Sequence, residues 1–460
     1  MTGEAEEPKV EVPQPAPTPA IYRHAAKLLP AQALKSVLDA ALPFLLATWF
    51  GKGGASDAFF LTQGLFLFVV SLLAGAFQDS AVVPVLSEVR SRNAPKEYAA
   101  VVGALVGWAL VAGVAVGALF AAVAFGWFSW VRPLPAPFTG PRPVLMLLVP
   151  FALWAPLLAL RASIGGILQA RGALLATPLA SALGTVLSAA LLFGFHQRFG
   201  VVAIPSAQAA GEAVAALLAA RYLLTTEGVP LRLSLARPEA LRKLGRLVAS
   251  EVLGAAVTRI NPVVDQAFAA TIAAVGAVST MRYTNDLATV PTSVAQLALF
   301  PVLLVVLSRL AAEGDERTFS KVVHKAIVQV SAFTIVVGGV VWLVRRPLLR
   351  AIFFHGSMTE LAIEDLIEVL PWALANAPPF ALLLLLVRAH TALGNSRIMF
   401  PLGVFNAAVN LLGDSILVRF FGVRGILLST ATTHTAVVVV LYLLLQRTLR
   451  ERRVPAQGHP

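Results

Sequence analysis

Cysteine is absent from all 460 residues, which excludes disulfides, thiolate metal sites and cysteine nucleophiles. Charge is scarce as well. Asp, Glu, Lys and Arg make up 13% of the chain against 58% hydrophobic residues, roughly half the charged share of an ordinary soluble domain. Histidine occurs seven times, scattered singly as at His196, His355 and His434, so no metal-ligand spacing arises. No GxxxxGKS/T, HExxH or GxSxG occurs, so the phosphate cradle, zinc helix and nucleophile elbow are all missing. The chain is not expected to be an enzyme. Energy for any transport must come from an ion gradient, from a membrane potential or from the substrate itself.

In place of these features there are long apolar runs. Val101–Phe128, Ala326–Val344 and Ile426–Gln446 carry no Asp, Glu, Lys or Arg, and the mean hydropathy is +0.79. Each run is long enough for a helix rising ~1.5 Å per residue to cross a ~30 Å hydrocarbon core. The pattern recurs about twelve times, predicting helices near 31–50, 58–86, 99–128, 144–169, 173–196, 201–225, 247–275, 279–310, 322–344, 364–391, 398–420 and 426–446. The fold class is therefore all-α, a polytopic membrane protein.

The net charge of +12 points to membrane orientation rather than nucleic acid, because its positions alternate. Arg90, Arg92 and Lys96 fall in one gap, and Arg232, Arg237, Arg242, Lys243 and Arg246 in another. Arg309, Arg317, Lys321 and Lys325, then Arg447, Arg450, Arg452 and Arg453, follow at the same parity. With a cytoplasmic N-terminus all of these lie inside, and both termini are expected in the cytoplasm. Residues 1–30 read as a Pro-rich cytoplasmic tail whose acidic start has no apolar stretch of the kind a signal peptide needs. The longest interior gap, 226–246, reads as a basic cytoplasmic linker between lobes at 31–225 and 247–446, and 447–460 as a basic tail.

The two lobes repeat one another. Phe199-Gly200 before the sixth helix matches Phe421-Gly422 before the twelfth, an offset of about 222 residues. Pro150-Phe151-Ala152-Leu153 matches Pro371-Trp372-Ala373-Leu374, and Val83-Pro84-Val85-Leu86 matches Phe300-Pro301-Val302-Leu303. Six spans separate equivalent helices, so the repeat is parallel and its axis runs along the membrane normal, with the substrate path at the lobe interface.

Ionisable groups at membrane depth need a partner or a purpose. Lys35 and Asp39 stand i,i+4 on the first helix and can neutralise one another; Glu212 is a carboxyl candidate for a water-filled cavity. The seventh helix places Arg259, Asn261, Asp265 and Gln266 around Pro262, the eighth contributes Arg282, Asn285 and Asp286, and the eleventh carries Asn410 and Asp414 four apart. With Ser429 and Thr430 on the twelfth helix, these oxygens suit a hard cation such as Na⁺. The alternative is structural: an Arg259–Asp265 salt bridge, with Asn410 and Asp414 hydrogen-bonded between helices.

The stretch WFGKGGASDAFF (49–60), followed by GAFQDSAVVPVLSEVRSR (75–92), resembles the opening of the MurJ/MviN lipid II flippases of the multidrug/oligosaccharidyl-lipid/polysaccharide exporter superfamily. VSTMRYTNDLATVP (278–291), FPVLLVVLSRLAAEGDERTF (300–319) and PLLRAIFFHGSMT (347–359) extend the resemblance across about 31–447. It implies two six-helix lobes around a central cavity in a bacterial cytoplasmic membrane, carrying a polyprenyl-diphosphate-linked saccharide outward by alternating access. Synthesis enzymes of the cell envelope are the implied partners. Family members that use Na⁺ place it among the seventh, eleventh and twelfth helices, which here implies Asp265, Asn410, Asp414, Thr430 and the Ile426 carbonyl. The family's diphosphate-binding arginines do not carry over. Leu42 and Pro43 stand where the first helix has an Arg-Asp pair, the second helix's arginine pair falls near Val70 and Ser71, and Asn285-Asp286 replaces Asp-Arg. Lys35, Arg259 and Arg282 are the cations available to replace them. The sequence ends about where the twelfth helix does, so the family's further C-terminal helix pair is not expected. Two other readings accompany this one: a cation-coupled exporter of small amphiphiles, favoured by Asp39, Glu212 and Asp286, and a non-transporting membrane scaffold.

Overall fold

A computed structural model describes residues 38, 41–77, 82–91, 95–245 and 259–453. Lys35 and Asp39 lie outside the described residues. Helices dominate because backbone N–H and C=O groups in hydrocarbon find partners only within their own helix. The first lobe comprises α1 (Ala41–Phe50), α2 (Gly54–Phe77), α3 (Val82–Ser91), α4 (Pro95–Gly126), α5 (Pro141–Ala170), α6 (Ala176–Phe199) and α7 (Ala203–Thr225). The second comprises α8 (Asn261–Thr271), α9 (Ala277–Ala288), α10 (Val290–Ala298), α11 (Phe300–Glu313), α12 (Glu316–Leu343), α13 (Arg345–Phe353), α14 (Glu360–Leu374), α15 (Ala377–Ala392), α16 (Met399–Phe421) and α17 (Val423–Arg453).

Among the described residues, eight helical stretches are long and apolar enough to cross a membrane. One of them, Ala176–Thr225, holds two helices, α6 and α7, folded against each other. Of the twelve expected spans, the third to sixth, the ninth, the eleventh and the twelfth are each present as a single helix. The first, second and seventh are described only in part, and the eighth is broken. That break corrects the continuous helix expected over 279–310. The segment is three helices, α9 to α11, with Pro291 and Pro301 in the first turns of α10 and α11. Proline fits a first turn because no N–H is required there, and it cannot continue the helix before it. The tenth span likewise divides into α14 and α15 at Ala375–Asn376, just ahead of Pro378-Pro379.

The repeat is visible in backbone geometry. Gly200 (φ 57°, ψ −144°) ends α6 and Gly422 (φ 57°, ψ −132°) ends α16, each donating its N–H to the carbonyl four residues back. An L-residue is strained in that conformation, so the duplicated Phe-Gly is a duplicated turn.

The segment after α7 lies along α4. Ser234 N–H donates to the Gly103 carbonyl at 3.2 Å, Trp108 Nε1 donates to the Ala236 carbonyl at 3.1 Å, and Arg237 stacks on the Trp108 ring. A Cβ at Gly103 or Gly107 would overlap the backbone carbonyl of Arg232 or Ser234. Thirty-two residues of α4 extend ~48 Å, so its first turns overhang the hydrocarbon and offer this segment a bed.

Buried cores show how the lobes meet. At the end carrying loop 51–53, one cluster joins both lobes: Phe59, Phe60, Phe66 and Phe151 of the first with Tyr283, Phe353, Ile363 and Leu366 of the second. At the opposite end the cores formed by the described residues are separate. Val85, Leu105, Ile167 and Leu223 pack within the first lobe, and Phe319, Leu386, Leu441 and Leu445 within the second. Among the described residues, the lobes are therefore shut against each other at the loop 51–53 end and hold independent cores at the linker end.

Candidate functional site

The carboxylates of the second lobe converge. Short α8 carries Asp265 against α16 and α17, and α16 presents Asn410 and Asp414 one turn apart on one face. Asn410 Nδ2 donates to Asp265 Oδ1 at 2.6 Å and to Asp414 Oδ2 at 3.1 Å. Thr430 Oγ1 lies 3.1 Å from both Asp265 Oδ2 and the Ile426 carbonyl, and Ser429 Oγ donates to the Asn410 carbonyl at 3.2 Å. All five sequence-derived ligand positions meet here. Asn410 and Asp414 are fully buried and Asp265 nearly so.

Two carboxylates sharing one amide in a dry interior is an expensive arrangement, costing several kcal/mol per ion without compensation. Asp414 Oδ1 and Asn410 Oδ1 are buried without a hydrogen-bond partner. Orphaned oxygens beside two adjoining buried carboxyl groups are the donor set of a hard monovalent cation. No group of three or more His, Cys, Asp or Glu side chains suited to a metal occurs among the described residues. Of the structural alternatives, the amide–carboxylate bonds form, while the Arg259–Asp265 bridge does not. Arg259 Nη1 instead donates to the Ser71 carbonyl of α2 at 3.3 Å.

The other candidates separate. Arg282 and Asp286 form an i,i+4 pair at 3.1 Å on α9, with Arg282 over the Phe60 ring, so both sit at the lobe interface. Glu212 does not. It pairs with Arg161 between α5 and α7, inside the first lobe, where Arg161 also reaches Ser181 of α6. Glu212 and Arg161 line a small cavity between α5, α6 and α7, away from the lobe interface.

Sequence reasoning missed the residues that close the lobes. Asp57, in the first turn of α2, accepts the N–H groups of Gly276 and Ser279 at 2.7 Å each, so a first-lobe carboxylate caps the N-terminus of second-lobe α9. Arg132 donates to the Ala270 carbonyl at the C-terminal end of α8. The tip 272–276 is thus held between an anion at one helix N-terminus and a cation at another's C-terminus, each the favourable sign for the helix dipole. Tyr283 Oη donates to the Gly51 carbonyl at 3.1 Å, Ser357 N–H and Oγ donate to Thr48 and Trp49 carbonyls at 2.8 Å, and Lys52 pairs with Asp365. Asp57 belongs to the DAFF run that carries the resemblance, but its partners lie 219 and 222 residues away.

Comparison with known proteins agrees with this architecture. A family model described as "Lipid II flippase MurJ" matches residues 46–456. The chain belongs to the MurJ family. It is 24% identical over 431 residues to a probable lipid II flippase MurJ of Vibrio cholerae, covering 89% of this chain and 80% of that protein. Its fold matches a MurJ structure in an inward closed conformation (TM-score 0.74, 15% identity, 93% of this chain and 90% of that one). It also matches an inward-facing multidrug resistance MATE family transporter (TM-score 0.75, 15% identity, 92% and 96%). This MurJ family member is a multi-pass membrane protein and a transporter rather than an enzyme, with the fold of its superfamily.

Proposed function

We propose that this chain moves a polyprenyl-diphosphate-linked saccharide of the lipid II class across the bacterial cytoplasmic membrane by alternating access. One observation carries the reading beyond family membership: among the described residues, the lobes share a core at one end and have separate cores at the other. A two-lobed body closed at one end is one of the two states such a cycle requires. The positive-inside pattern assigns the closed, loop 51–53 end to the outer face and both termini to the cytoplasm. The headgroup then enters between the lobes from the linker end.

The cation supply supports this substrate class. Family arginines are lacking on α2 at Val70 and Ser71, yet Arg259, two residues ahead of α8, reaches the Ser71 carbonyl. A guanidinium from the second lobe thus stands where the first lobe has lost its own. Arg282, over the Phe60 ring, is a further cation at the interface. Two guanidiniums in a low-dielectric cleft give a diphosphate charge-assisted hydrogen bonds.

Coupling to Na⁺ is part of the proposal. Asp265, Asn410, Asp414, Thr430 and the Ile426 carbonyl would hold the ion, which supplies the positive charge these carboxylates lack. The chain's own contribution is to fix α8, α16 and α17 relative to one another through that cluster.

The deciding experiment reconstitutes the protein in vesicles carrying fluorescent lipid II and scores leaflet exposure. Transfer is expected with wild type and reduced on the order of tenfold in Arg259→Ala, the loss of one charged hydrogen-bond donor. Absence of transfer by wild type with and without a Na⁺ gradient would overturn the reading. For the ion, Na⁺ rather than K⁺ should raise the melting temperature of wild type, and Asp265→Asn and Asp414→Asn should abolish the rise. An equal rise in all three proteins would exclude this cluster as the ion site.

A further inference from the structure

A cavity of about 420 Å³ lies at the linker end of the first lobe, away from the lobe interface. Its walls come from four places in the chain: Arg90 at the end of α3, Tyr98 in the first turn of α4, Arg171 just after α5, and Glu227 to Pro230 at the start of the linker. Two guanidiniums face one carboxylate, so the cavity is net cationic. Arg171 is fixed in place, with Nε on Glu227 Oε2 at 2.6 Å and Nη2 on the Glu227 carbonyl at 2.9 Å. Arg90 Nη1 donates to the Ala170 carbonyl at 3.1 Å. Each guanidinium carries five N–H donors, and these contacts use one of Arg90's and two of Arg171's. A second observation adds to the charge. Tyr98 lines the cavity, is 7% exposed and has the Arg171 guanidinium 5.9 Å from its ring centre, yet its buried hydroxyl makes no well-formed hydrogen bond.

A preset guanidinium, a second guanidinium from another helix and an unsatisfied hydroxyl donor are the parts of a tetrahedral-oxyanion site. At about 30 Å³ per water, the volume holds a phosphate with its attached glyceryl or sugar arm. We propose that this cavity binds a phosphate group, with Arg90 and Arg171 pairing its oxygens and Tyr98 Oη donating to it. The phosphate can belong to a bilayer lipid headgroup, since the cavity lies at the ends of α4 and α5, both long and apolar enough to span a bilayer, or to a soluble phosphate compound. The chemistry of recognition is the same. The cavity wall includes the residues where the linker leaves α7, so occupancy fastens the linker to the overhanging turns of α4. This site is separate from the proposed transport path and does not depend on it.

The test measures melting temperature in detergent with millimolar inorganic phosphate against chloride. A parallel arm reconstitutes the protein in vesicles of phosphatidylglycerol or of phosphatidylcholine. The variants are Tyr98→Phe, which removes only the hydroxyl, and Arg90→Gln, which leaves the Arg171–Glu227 pair intact. Wild type should gain about 2–4 °C with a bound anion, Tyr98→Phe less than half of that, and Arg90→Gln none. A gain with inorganic phosphate alone identifies a soluble ligand; a gain confined to phosphatidylglycerol identifies a headgroup. No gain in either arm, or the same gain in wild type and both variants, would overturn the proposal.

Discussion

At the scale of single residues, closure rests on Asp57 more than on any other side chain. It satisfies two N–H groups that otherwise stand unpaired at the start of α9, and a buried donor without a partner costs about 1–3 kcal/mol. Asp57→Ala should therefore shift the balance between closed and open lobes by roughly 5- to 150-fold. Hydrogen exchange at Gly276 and Ser279 reads this directly, with protection lost in Asp57→Ala and partly kept in Asp57→Asn. Unchanged protection in both would remove Asp57 from the latch. Arg132→Ala should loosen the same tip from the α8 side, so the double variant should fall short of the sum of the singles. The two sites differed in how readable they were. Asn410 and Asp414 are one helical turn apart, and helical period alone puts them on one face. Asp57 looks like an ordinary acid in the first turn of its own helix, and the N-terminus it caps belongs to the other half of the chain.

At the scale of elements, apolar length read out most spans because the bilayer sets it. The breaks were harder to see, since apolar composition runs straight through Pro291 and Pro301 and only the proline chemistry marks them. The linker was legible as basic but not as packed; that depends on Gly103 and Gly107 clearing a track along α4. Gly107→Leu should displace the segment at an overpacking cost of about 1–3 kcal/mol. Limited trypsin digestion should then cut faster after Arg232 than in wild type, and an unaltered cleavage pattern would count against the packing. The start of α12 offers a pH reading outside the membrane. Asp315 caps it, accepting the Thr318 N–H at 3.0 Å. Its hydrogen bonds to Thr318 hold its carboxyl below the ordinary carboxylate value. A lowered folded-state pKa means the cap's contribution is complete above the unfolded value and fades as pH falls through the folded one. Thr318 amide exchange, corrected for its intrinsic pH dependence, should gain protection as pH rises out of that acidic window. Asp315→Ala should exchange several-fold faster at neutral pH and lose the pH dependence.

At the scale of the whole molecule, the duplicated Phe-Gly turns gave away two lobes, but how far apart the lobes stand depends on which ends share a core. Alternating access requires the shared core to part. Tyr283 on Gly51, Ser357 on Thr48 and Trp49, and Lys52 with Asp365 must then separate together in each cycle. Because the chain has no cysteine of its own, Lys52→Cys with Asp365→Cys places the only two thiols on opposite sides of the closed end. Asp365 is half-exposed while Lys52 is largely covered, and loss of this partly screened pair should cost on the order of 1 kcal/mol. Before treatment the double variant should transport like wild type. A short, reducible bis-thiol cross-linker should then stop transport, and reductant should restore it. Either single variant, treated identically, should keep its activity. A cross-linked protein that continues to move its substrate would mean the closed end need not open, and the path would have to leave the bundle sideways between α2 and α8 rather than through the end that Asp57 and Arg132 hold shut.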